Sequence, residues 1–221
     1  MESRTRFIAV GAAAAVLGVA AGWWGYSAHQ KRELGRAIVT LVADTGARTR
    51  AALSATADDP EAARKNEEHA AAVERNLARL KELDAAREQA LADAADDYIL
   101  TSREILKRVV ESARYRRLLA ESLQALNEHM GADTRTGAWV QEAVKARERV
   151  NRDHRGYSAA AAALDKLLQD FPGSQKKIAP HVEPAVLIEA ALIEGARARA
   201  LESAKQAQAE VEKTRQPGAF R

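Results

Sequence analysis

From Phe7 to Ala28 the chain runs 22 residues without a charge, although 29% of all its residues are Asp, Glu, Lys or Arg. As a helix the run would span ~33 Å, about the thickness of a bilayer core. It predicts one transmembrane signal anchor (7–28) behind a short basic flank (1–6), with the rest of the chain held at a lipid surface. The run is modestly hydrophobic, with eight Ala and four Gly against one Leu, one Ile, one Phe and three Val. Trp23, Trp24 and Tyr26 stand at one end, where amphipathic rings favour the headgroup zone, so they are the expected membrane-interface residues. Gly18 and Gly22 form a GxxxG pair, the spacing that lets two membrane helices approach closely, and are the candidate helix-dimer contact.

A cleaved signal peptide is the rival reading. Arg4 and Arg6 make a basic start, Phe7 to Leu17 an apolar core, and Val19-Ala20-Ala21 the small residues such a cleavage site needs. A secreted helical protein would then result. The apolar run continues past that point and ends in aromatics, which favours a retained anchor. The short basic N-terminus favours N-in, C-out, with the domain in the periplasm beside a bacterial inner membrane. Lys31, Arg32 and Arg36 on the other side count against that orientation.

The remainder reads as all-α, an antiparallel helical bundle with coiled-coil character. Five helices are expected, at about 29–55, 60–96, 101–130, 137–170 and 183–214, followed by a frayed tail at 215–221. In the first, Leu34, Ile38, Leu41, Thr45 and Ala52 trace one face. Asp58-Asp59-Pro60-Glu61 stops one helix and starts the next. Ala70, Val73, Leu77 and Leu80 then step by three and four. The pattern slips at Leu83 and resumes at Ala90, Ala94 and Tyr98. A second run joins Ile105, Val109, Ala113, Leu119, Leu123, Leu126 and Met130.

Length argues for a break in this stretch, the alternative being an unbroken helix tilted away from the membrane. A partner antiparallel to the first helix is back at the bilayer by about residue 87, and a straight continuation would strike lipid. The expected hinge is Asp96 to Ser102, where Thr101-Ser102-Arg103-Glu104 has the capping-box spacing. The strongest repeat follows: Trp139, Ala143, Ala146, Val150, Asp153, Tyr157, Ala160, Leu164, Leu167 and Phe171 in 4-3 steps. Pro172-Gly173 is expected to end that helix. A tetratricopeptide reading of the same stretch fails, because Arg147, Glu148 and Asn151 occupy positions that must be apolar or small.

Signals for chemistry are weak. With no Cys in the chain, disulfides, Cys-ligated metals, covalently attached haem and thiol catalysis are excluded. The five histidines, His29, His69, His129, His154 and His181, fall one to a region and form neither Glu-x-x-His nor His-Glu-x-x-His. No catalytic residue, metal ligand or cofactor is assigned. Net charge is only +3, and cations and anions alternate, so no nucleic-acid partner is expected. These features predict a non-enzymatic, single-pass membrane protein that acts as a helical scaffold. Its partners would be lipid and, through helix faces, other proteins or a second copy of itself. The alternative is a ligand-binding or sensory bundle, with a small molecule between helices near Tyr98, Tyr115, Trp139 or Tyr157.

Overall fold

The computed structural model describes residues 29–55, 60–84, 86, 88–131 and 136–214. Within these the fold is all-α, with five helices and no strand. Helix α1 covers 29–54; α2 is Pro60–Glu82, α3 Gln89–Met130, α4 Gly137–Ile178 and α5 Ala190–Lys213. Sequential helices run antiparallel. Asp44 meets Asn76 across α1 and α2, Tyr98 meets Phe171 across α3 and α4, and Arg197 meets Asp165 across α4 and α5. No helix of the described residues is long and apolar enough to cross a membrane; the predicted anchor, 7–28, lies outside them.

Helices α3 and α4, each 42 residues, form a hairpin ~63 Å long. Its tip is clasped twice. The Trp139 indole N–H donates to the His129 carbonyl (3.0 Å) and His129 Nε2 donates to the Trp139 carbonyl (2.9 Å), while the two rings stack. Thr136 caps α4 by accepting from the Trp139 backbone N–H. Helices α1 and α2 cover the end of the hairpin away from this tip, which we call the lower half. There Tyr98, Ile99, Leu106, Leu168 and Phe171 join Ile38, Val42, Val73 and Leu77 in one core. In the upper half α5 alone covers the hairpin, and Leu119, Leu126, Val150, Tyr157, Ala207 and Val211 make a smaller second core.

Three boundaries differ from expectation. Helix α3 runs unbroken through Asp96–Ser102; α2 instead ends at Glu82 and α3 begins at Gln89. The supposed capping residues serve helix packing. The Thr101 hydroxyl bonds back to the Asp97 carbonyl (2.8 Å) and touches the Ser174 hydroxyl on α4 (3.1 Å), and Asp97 pairs with Lys177. Helix α4 passes through Pro172 to Ile178. Proline costs one backbone hydrogen bond, but Phe171, Ser174, Gln175 and Ile178 beside it are all buried, so packing holds the helix on course.

The last helix begins at Ala190 rather than 183, after short 3-10 turns at Ala179–His181 and Pro184–Val186. Side chains capture the backbone groups that would have extended it. Arg50 Nη2 donates to the Ala185 and Leu187 carbonyls (2.9 and 2.7 Å). The Gln175 amide both accepts from the Ile188 N–H and donates to the Ile188 carbonyl. This segment crosses α1 at Gly46, where an added Cβ would lie 2.6 Å from the Val186 carbonyl oxygen. Gly46 costs helix propensity and in return admits the crossing.

Candidate functional site

The seams of α1, α2 and α3 hold several buried polar groups whose partners mark them as structural. Asn76 Nδ2 donates to Asp44 Oδ2 (2.7 Å) and to Thr45 Oγ1 (3.1 Å). Thr49 bonds back to the Thr45 carbonyl. The Arg48 hydrogen bond, helped by Asn76, outweighs desolvation and holds the Asp44 carboxyl below the ordinary carboxylate range. Desolvation, followed by the nearby Arg48 charge, lowers His69. One polar side chain set into an apolar seam fixes register between two helices. Asp153 on α4 is 6% exposed and pairs with its own neighbour Arg152 at 3.2 Å, a contact within one helix. Among the described residues no group of three or more His, Asp or Glu is placed to hold a metal.

One cavity does not reduce to seam packing. It lies where the lower core hands over to the upper, has a volume of about 110 Å³, and takes lining residues from α2, α3, α4, α5 and the end of α1. Six alanines leave it open: Ala52, Ala55, Ala63, Ala113, Ala196 and Ala200. At this level α1 ends and α2 begins, leaving α3, α4 and α5 to continue, and methyl groups from several directions do not fill the space that longer side chains would. Leu53, Val109 and Leu164 complete the apolar wall.

The polar wall is made by Asn66 of α2, Ser112 and Arg116 of α3, Tyr157 of α4, and Arg199 and Ser203 of α5. Tyr157, 2% exposed, donates its hydroxyl to Ser203 Oγ at 2.9 Å. Arg116 Nη1 donates to the same oxygen. Both lone pairs of Ser203 are thus engaged, and only its hydrogen remains to be given. Arg199 reaches back to the Leu53 carbonyl in the last turn of α1, satisfying a terminal acceptor that the helix itself cannot.

Of the four aromatics expected near a ligand, only Tyr157 lines this cavity. Tyr98 is stacked on Phe171, centroids 5.5 Å apart. Tyr115 presses on Gly156, where a Cβ would lie 2.6 Å from its ring. Trp139 belongs to the hairpin clasp. The predicted interface residues Trp23, Trp24 and Tyr26, and the Gly18–Gly22 pair, lie outside the described residues. Sequence reasoning missed Arg116, Arg199 and Ser203, since a small polar triad on different helices has no periodic signature. The available sign was the alanine at corresponding levels of several seams. No family model, curated protein or solved structure matches this chain.

Proposed function

We propose that this chain is a single-pass membrane protein of the bacterial envelope. Its helical domain stands at the outer face of the inner membrane and acts as a scaffold for protein partners or for a second copy of itself. One observation carries the reading: the described part of α1, 29–54, follows directly on the uncharged run 7–28 of the sequence. The end of α1 that emerges from lipid is then the lower end of the bundle, and Lys31 pairs there with Glu88 beside the α2–α3 turn. A hairpin ~63 Å long would project its clasped tip away from the bilayer. Such a rod carries binding faces along its length, as an adaptor requires.

The test is fractionation. The full chain should sediment with membranes and resist carbonate extraction, and a chain lacking residues 1–28 should remain soluble. If the shortened chain still sediments, the anchor reading is wrong. Crosslinking from intact membranes, read by mass spectrometry, should return the same partner or self-contact in repeated experiments. Return of lipid-only or random products would remove the scaffold reading.

A further inference from the structure

We propose that the cavity between the two cores binds a small aliphatic monocarboxylate, with about four to six carbons in the apolar space and its carboxylate at the Arg199–Ser203 side. Size sets the tail. An apolar cavity of ~150 Å³ is enough to hold benzene, so about 110 Å³ admits a short or branched chain and excludes a long acyl chain or a fused ring system.

The polar wall sets the head group. Ser203 has both lone pairs engaged by Tyr157 and Arg116, so it can only donate. Arg199 spends one N–H on the Leu53 carbonyl and retains others in a fork whose geometry matches a carboxylate. Neither of these two can accept a hydrogen bond from a ligand; Asn66 and Ser112 elsewhere in the lining can, so the arginine charge is what favours an anion at this side. Among the described lining residues there are two arginines and no carboxylate. Arg199 is exposed, so the head would sit at the mouth of the cavity and the tail inside, against Leu53, Val109 and Leu164.

The site joins α1 and α5 as well as the α3–α4 hairpin. A bound acid would therefore tie the lower core to the upper one. This inference does not depend on the membrane reading, since a chain that proved soluble would keep the cavity.

The test uses the full chain in lipid nanodiscs, with valerate as the probe and saturation-transfer NMR as the readout. Empty nanodiscs provide the background. Valerate should bind saturably, butyrate and hexanoate within about tenfold of it, and decanoate far more weakly. Pentan-1-ol should bind at least tenfold more weakly than valerate. Ala200→Leu, which fills the cavity, should abolish binding while circular dichroism stays helical. Arg199→Gln, at the surface and able to keep the Leu53 bond, should weaken valerate at least tenfold and leave pentan-1-ol unchanged, so the claim stands even if the filled variant fails to fold. Equal binding of the alcohol overturns the anion claim. Affinity still rising at decanoate means adsorption at the lipid surface and overturns the site. Absence of saturable valerate binding, together with a folded and more stable Ala200→Leu, identifies the cavity as a packing defect and overturns the proposal.

Discussion

Tyr98 sits in the lower core with none of its surface exposed, and its hydroxyl has no hydrogen-bond partner among the described residues. Burial pushes its pKa up to about 12 against a smaller opposing pull from Arg50. In the unfolded chain a tyrosine ionises near 10. Below pH 10 both states keep the proton and the group is neutral to stability. As pH rises from 10 to 12 the unfolded state loses a proton that the folded state holds, and folding weakens by about 2–3 kcal/mol. Tyr98→Phe removes this dependence. Because the hydroxyl gives up no bond, the variant should lie within ~0.5 kcal/mol of the wild type at pH 8. Urea denaturation at pH 8, 10 and 11.5 checks both statements. A variant that loses stability in parallel with the wild type above pH 10 would show that the alkaline loss arises elsewhere. Ser102, one turn further along α3, has a buried hydroxyl in the same condition. The orphaned groups therefore belong to the lower core and not to the cavity, whose hydroxyls are all engaged or open to a ligand.

Helix α4 shows how an element can run against its own local chemistry. Pro172 and Gly173 lie inside it, both exposed, and a Cβ added at Gly173 would meet nothing within 4 Å. Gly173→Ala should stabilise the protein by roughly 0.5–1 kcal/mol, by lowering unfolded-chain entropy and adding helix propensity. The measurement is the urea midpoint. The same change at Gly156 should instead destabilise, since the new methyl would meet the Tyr115 ring; equal effects at the two glycines would mean that packing does not set them apart. Local signals fail in the same way at the helix ends. The expected stop at Pro172 is overridden because Phe171, Gln175 and Ile178 continue the buried face. The expected hinge at Asp96–Ser102 is overridden because Thr101 and Asp97 are satisfied by α4, a partner that sequence spacing does not reveal. The true boundary between α2 and α3 left two traces, the slip in the pattern at Leu83 and the return length ending near residue 87. Where burial alone decides, the pattern is legible: Val150, Asp153, Tyr157, Ala160, Leu164 and Phe171 are buried as the 4-3 spacing required. Below Leu164 the buried face steps from Leu167 to Leu168, because there α4 meets the lower core, built on more helices.

At the scale of the molecule, two cores share one hairpin and are unequal. Among the described residues the lower core holds 22 buried apolar side chains and the upper one six. Burying one of the larger of these side chains contributes about 1.5–3 kcal/mol and an alanine less, while ordering each residue of helix costs about 1–2 kcal/mol of backbone entropy. The upper layer is built from parts of three helices rather than five, with little more than a quarter as many such side chains. Continuous α3 and α4 pass through both layers and couple them. That coupling is weak, because isolated helical turns are marginal in water and the cavity removes contacts at the junction. The upper layer should therefore open without the lower. Hydrogen exchange should show backbone amides near Leu126, Val150 and Val211 exchanging by a sub-global opening, and those near Ile99, Leu106 and Leu168 only by global unfolding. Leu126→Ala, which leaves a hole in the small core, should cost about 2–5 kcal/mol locally and speed exchange in the upper layer alone. Leu106→Ala, the same chemistry in the large core, should lower global stability and speed exchange everywhere. If Leu126→Ala accelerates both layers equally, the molecule is one cooperative unit and the two-core description is wrong. If the layers do separate, a ligand in the junction cavity gains a distinct physical effect. It would raise the free energy of the upper opening without changing the lower core, and exchange near Val211 would report its presence.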